Sequence, residues 1–303
     1  MTTLLLAGCQ ATPLASYLKA LGLLRLIAEQ RDAGARGRWT PAGFELDSVL
    51  DEADLVRFVV EEYVPTPIVA PWNGGSGFFP KDSQAGIGVI EASDDPRFAS
   101  YREVIAACRA AVADAGLDAS PKDVQKAEFL ARLRGGLPEV ALAWMDAAVV
   151  LGDGRPEFPP LLGTGGNDGR LDFTNNQMQR LAALLLGQDP KTRGLTRSAL
   201  FAESSPGLER AAIGQFAPAA AGGANAGPGF DRDSLVNPWD YVLMLEGALL
   251  FAAAATRREE IGRPGTMSFP FCVRASAAGY GTAAATDPGA TRNEMWLPLW
   301  ERF

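Results

Sequence analysis

Residues 161–186 read LLGTGGNDGRLDFTNNQMQRLAALLL, and the rest of the chain is organised around them. Gly163, Gly165, Gly166 and Gly169 punctuate one short span. Glycine reaches positive φ without strain and lets backbone approach other groups closely. Asn167 and Asp168 tolerate left-handed backbone and bond their own main chain. The span from Gly163 to Arg170 therefore predicts a tight polar loop with several free N–H groups. It is either an ordinary structural turn or a concave nest for an anion. Met178, Leu181 and Leu185 then recur at helical spacing with Ala182 beside them, and Thr174 or Asn175 stands where a cap belongs. A loop that feeds a helix N-terminus suits contact with a phosphate or a base edge. No Gly-Lys-Ser/Thr follows, so this is not a Walker loop, and the spacing does not fit the dinucleotide fingerprint.

Working outward, 303 residues with 47% apolar content suffice for a substantial core. The 33 glycines and 21 prolines cluster without a period, which excludes collagen-like chains and predicts many loops. The expected class is α+β: mixed, helix-rich, with a small sheet and long Gly/Pro-rich loops. Every long apolar run is broken by charges or helix breakers, so no membrane span is expected. Met1–Leu6 lacks a basic flank, so no signal peptide is expected. The three cysteines, Cys9, Cys108 and Cys272, are far apart and have no zinc spacing, which fits a reduced, cytoplasmic setting. Histidine is absent, which excludes a Ser-His-Asp triad, a Cys-His pair and a histidine metal site. No metal or cofactor is expected. The net charge of −8 is unlike that of a stand-alone nucleic-acid binder, so any DNA contact must be local or shared with other subunits.

In chain order, Thr3–Ala7 predicts a strand. Thr12 as cap and Pro13 open a helix to about Gln30, with Leu14, Tyr17, Leu18, Leu21 and Leu24 on one face and Lys19 and Arg25 expected in solvent. Gly34–Arg38 reads as a loop, Gly43–Leu46 as a strand, and Asp47 or Ser48 as the start of a helix. Residues 62–80, EYVPTPIVAPWNGGSGFFP, hold four prolines and no regular element. There Trp72, Phe78 and Phe79 flank Asn73, Gly74, Gly75, Ser76 and Gly77. Aromatics in this setting either stack on a splayed base or anchor the loop to the core. Residues 96–160 predict a helical insertion of three helices between an N-terminal α/β segment, 1–95, and a C-terminal one, 161–303. Cys108 belongs to its core, and Lys122, Lys126, Arg132 and Arg134 make its middle helix mildly basic. Gly187–Ala212 reads as short broken pieces bearing Lys191, Arg193 and Arg197. Residues 215–230 form a small-residue loop in which Asn225 is placed either to reach a groove edge or to sit in a linker. Asn237-Pro238 opens a further helix, and Ser268–Ser276 alternates as a strand. The terminal EMWLPLWERF has no capping residue or polar tail, as though a core continued beyond it.

Five stretches together resemble one family: LAGCQATPLASYLKALGLLRL at 6–26, PTPIVAPWNGGSGFFPKD at 65–82, LLGTGGNDGRLDFTNNQMQRL at 161–181, QFAPAAAGGANAGPGF at 215–230 and DSLVNPWDYVLMLEGALLFA at 233–252. The chain is similar to the large subunit of the type I-G (formerly I-U) CRISPR surveillance complex, a Cascade-type assembly. Members of that family are longer, so the resemblance is to their N-terminal portion. It implies a non-enzymatic subunit near the 5′ end of the CRISPR RNA. Such subunits probe the protospacer-adjacent motif, help open double-stranded target DNA and present the displaced strand to a recruited helicase-nuclease. The implied partners are CRISPR RNA, target DNA, and the backbone and RNA-end-capping subunits. From local chemistry, the residues expected at DNA are Asn73, Gly74, Ser76, Asn167, Asp168, Arg170, Asn175, Asn176 and Asn225. Two other readings compete. One is a phosphate- or nucleotide-binding enzyme using the Gly163–Gly169 loop, with Asp168 and Asp172 on Mg²⁺. The other is a purely architectural scaffold, which the acidic balance favours.

Overall fold

A computed structural model describes residues 1–152, 155–163, 165–168, 171–187, 189–220, 233–256, 266–274 and 293–302. The chain begins with β1 (Thr2–Leu6), α1 (Leu14–Gln30), β2 (Arg36–Thr40), β3 (Gly43–Ser48) and α2 (Glu52–Arg57). After an irregular stretch come α3 (Ile87–Ala92), α4 (Ala99–Asp114), α5 (Asp123–Gly136), α6 (Glu139–Ala148) and the hairpin β4 (Val150–Gly152) and β5 (Arg155–Glu157). The central stretch supplies β6 (Asn167–Asp168), β7 (Leu171–Asp172) and α7 (Phe173–Leu181), followed by α8 (Thr192–Phe201). Then come β8 (Glu209–Ala211), β9 (Ser234–Val236), α9 (Pro238–Ala248), β10 (Ala254–Thr256), β11 (Thr266–Ser268), β12 (Cys272–Arg274) and β13 (Asn293–Met295). The class is α+β, as the composition predicts.

The core is built on α1 and α9. Both are apolar nearly all round, the pattern of helices buried on every side. They approach closely because each carries a glycine at the crossing. A Cβ on Gly22 would lie 2.1 Å from Leu243 O, and one on Gly247 would lie 1.9 Å from Leu18 O. Glycine at both positions lets backbone meet backbone. An antiparallel sheet of order β1-β3-β2 covers one end, with Leu4 opposite Leu46 and Trp39 opposite Phe44. Tyr17 of α1 stacks on Trp39 with ring centroids 5.0 Å apart. Trp300 closes the cluster edge-on to Trp39 and Phe44, so the terminal segment pads the sheet.

Several local expectations are corrected. β2 occupies much of the span read as a loop, because Gly37 allows the Phe44 ring to lie against the strand. The helix after β3 starts at Glu52, capped by Asp51, whose side chain accepts from Asp54 N at 2.8 Å, so Asp47 and Ser48 stay in the strand. Pro13, not Thr12, is the cap position of α1. Residues 192–201 form one continuous helix, α8, with Leu195, Ala199 and Leu200 buried. Arg193 pairs with Glu61, and Arg197 pairs with Glu52 and Glu203, so the basic stretch is tied to acids on and beyond α2.

Lys19 and Arg25 overturn the expectation of solvated charges. Lys19 is buried, with Nζ 2.7 Å from both Asp240 Oδ1 and Ala199 O. Arg25 pairs with Glu246, which is fully buried and also accepts from Tyr63 OH and, at 3.0 Å, from Thr66 N. α9 needs partners for its two acids, and α1 supplies both cations.

Candidate nucleic-acid interface

The two Gly/Asn-rich stretches meet. Trp72 Nε1 and Asn73 Nδ2 both donate to Gly165 O, at 2.9 and 2.8 Å. Asn175 Nδ2 returns the contact, donating to Gly75 O at 2.8 Å and Ser83 O at 3.2 Å. Gly165 is required here: its φ is +79°, and a Cβ would lie 2.8 Å from the Phe158 ring. The two loops therefore form one platform, joined largely by side-chain amides that hold the opposite backbone.

The same bonds consume most of the predicted contact groups. Asn73, Ser76 and Asn175 are buried, and Ser76 Oγ donates to Asn73 O at 2.7 Å. They position the loops and have no face toward solvent. Trp72, Phe78 and Phe79 are buried as well, so they anchor the loop to the core and are not placed to stack on a base. Gly74 is exposed, as is Gly75 beside it. Asn176 stays half-exposed while its Nδ2 donates to Asp172 O at 2.6 Å. Asn167 is also half-exposed. The amide orientation that satisfies both its atoms has Nδ2 donating to Gly166 O at 2.9 Å and Asp172 Oδ2 at 2.6 Å. The backbone of Asp168 pairs with Leu171 in a short hairpin, and its side chain lies outside the described residues. Arg170 and Asn225 lie outside them too.

Neither anion-binding feature is open. The cap of α7 is Asp172, in place of the expected Thr174 or Asn175. Its Oδ1 accepts from Asn175 N at 2.7 Å and Thr174 Oγ1 at 2.8 Å. A cap residue that is itself anionic fills the site where a phosphate would bind. Burial pushes the Asp172 carboxyl up to about 6. In the other loop, Asp82 accepts from Gly75 N at 2.8 Å, Gly77 N at 3.0 Å and Phe79 N at 3.3 Å. Residues 75–79 thus form an anion-binding nest that the chain fills with its own carboxylate. Residues 164, 169 and 170, on which the reading of 163–170 as turn or nest depends, lie outside the described residues. Among the described residues, no three His, Cys, Asp or Glu side chains group to hold a metal ion.

One cation, Lys126, is placed at the platform by a contact. A Cβ on Gly74 would lie 3.4 Å from Ser120 Oγ, which sets the segment leading into α5 beside the platform. Lys126 of α5 is half-buried and donates to Asn73 Oδ1 at 3.0 Å, while Lys122 one turn earlier is exposed. Lys81 is exposed just past the loop. Sequence reasoning saw α5 as mildly basic but had no means to place it against residues 73–75, since that proximity depends on tertiary packing. No helix among the described residues is long and apolar enough to cross a membrane. No family model matches the chain, and no curated protein is significantly similar to it.

Proposed function

We propose that this chain is a non-catalytic, nucleic-acid-recognition subunit of an RNA-guided CRISPR surveillance complex, as its sequence resemblance to the type I-G large subunit suggests. In this reading it meets target double-stranded DNA near the protospacer-adjacent motif and helps to open the duplex for a recruited helicase-nuclease. The guide RNA then reads the remaining sequence by pairing, as in another CRISPR effector. One observation carries the reading. The two loops bearing the family-like motifs are fused into one platform whose exposed edge is bare Gly74–Gly75 backbone near Lys126, with the exposed Lys81 and Lys122 close by in sequence to the loop and to α5. Backbone without side chains can approach a groove, and flanking lysines hold phosphates. The role of the buried asparagines is to hold that edge in shape. The acidic remainder of the chain keeps its own affinity low, so the complex supplies the rest of the positive charge.

The test uses Gly74→Glu, at an exposed position where φ is not positive. The expected result is an assembled complex of unchanged thermal stability whose binding to a target duplex is at least tenfold weaker. Unchanged binding at several salt concentrations removes the platform from the interface.

A further inference from the structure

Beside the platform, α5 and the β4–β5 hairpin enclose an open cavity of about 920 Å³. That lies within the usual range of small-molecule sites, about 300–1,000 Å³. Its floor is apolar, formed by Phe158, Pro156, Leu151 and Ala127. Two cations stand at its edge, Lys126 and Arg155. The Lys126 ammonium lies 5.3 Å from the centre of the Phe158 ring. It is half-buried, and among the described residues neither it nor Arg155 pairs with a carboxylate, whereas many of the chain's other arginines do. Burial without an anionic partner holds the Lys126 ammonium below the usual lysine range. A half-buried cation beside an aromatic floor is matched by a neutral flat ring joined to an anionic group.

We infer that this cavity receives one unpaired nucleotide of a nucleic-acid strand, its base against Phe158 and its phosphate at Lys126 and Arg155. The inference deepens the proposed function and rests on its nucleic-acid part. Asp123 and Glu128 also border the cavity and disfavour a polyphosphate, so the singly charged phosphate of a strand fits better than a nucleoside triphosphate. The cavity is joined to the platform at two points. Phe158 packs on Gly165, and Lys126 bonds Asn73. A base parted from a duplex at the platform therefore has an adjacent place to go.

The test titrates the chain with a short single-stranded oligonucleotide carrying one 2-aminopurine, whose fluorescence falls on stacking. The expected result is quenching with the unaltered chain. Ala131→Trp fills the cavity from an exposed position on α5, away from the core, and should weaken binding about tenfold. Phe158→Leu keeps bulk against Gly165 and should lose most of the quenching. Lys126→Gln should lower the salt slope by about one. No quenching, or quenching that survives Ala131→Trp, overturns the inference. Tighter binding of free 2-aminopurine riboside monophosphate than of the oligonucleotide overturns the assignment to a strand. Gly74→Glu in the assembled complex is read separately, so failure here and failure of the platform give different results.

Discussion

Asn175 Nδ2 donates to Gly75 O at 2.8 Å, joining residues 100 positions apart in the chain. The first turn of α7 thereby holds the loop that precedes α3. Asn175→Ala should lose this bond and the one to Ser83 O, at a cost of about 1–2 kcal/mol. Thermal unfolding gives the cost, and hydrogen exchange at Gly75 and Gly77 reports the release of the loop. Unchanged exchange there would mean that Trp72 and Asn73 hold the platform without it.

The Asp172 carboxyl keeps its proton up to about pH 6 in the folded chain, against an ordinary value of 3.8. Between those values the native state binds more protons than the unfolded one. Stability should therefore fall as pH rises through that window and level off above it. The difference corresponds to roughly 3 kcal/mol. Asp172→Asn keeps an acceptor for the cap and removes the charge, so its denaturation profile should be flatter between about pH 4 and pH 6. An unchanged slope would assign the pH dependence to other groups.

Glu246→Ala leaves the Arg25 guanidinium, Tyr63 OH and Thr66 N without their buried acceptor. The expected loss is about 3–5 kcal/mol by urea denaturation. Removing both charges with Arg25→Met and Glu246→Leu should cost less than Glu246→Ala alone, because no unpaired charge is left behind.

Gly22→Ala places a methyl group 2.1 Å from Leu243 O, where the obstacle is backbone and cannot rotate away. The two helices must separate, and a loss above the ~1–3 kcal/mol typical of overpacking is expected. A variant with the original melting temperature would show that the crossing is looser than described.

Much of the fold was legible because the governing forces were local. Apolar spacing marked α1, α4, α5 and α6 within a few residues, and Asn237-Pro238 marked the start of α9, where Asn237 Oδ1 accepts from Trp239 N at 3.0 Å. The errors came where tertiary partners decide. Lys19 and Arg25 looked solvated because a helical wheel does not reveal the acids on α9 that bury them. Asp172 was passed over as a cap in favour of Thr174 and Asn175, which supply the donors to it. In the candidate site, Asn73, Gly74, Ser76, Asn167, Asn175 and Asn176 do lie together, but the polarity that drew attention to Asn73, Ser76 and Asn175 is spent within the protein. Composition marks a hydrogen-bonding junction well, and it does not distinguish one turned inward from one turned outward.

The carboxylate of Asp82 has a wider consequence. It sits only seven residues from Gly75, one of the amides it engages. So short a tether keeps it at an effective concentration of at least millimolar order, which dissolved sulfate, phosphate or metabolites would have to outcompete. The glycine turn is thereby insulated from the ionic composition of its surroundings, and it can serve as a rigid mould whose shape does not drift with the cell's anion pool.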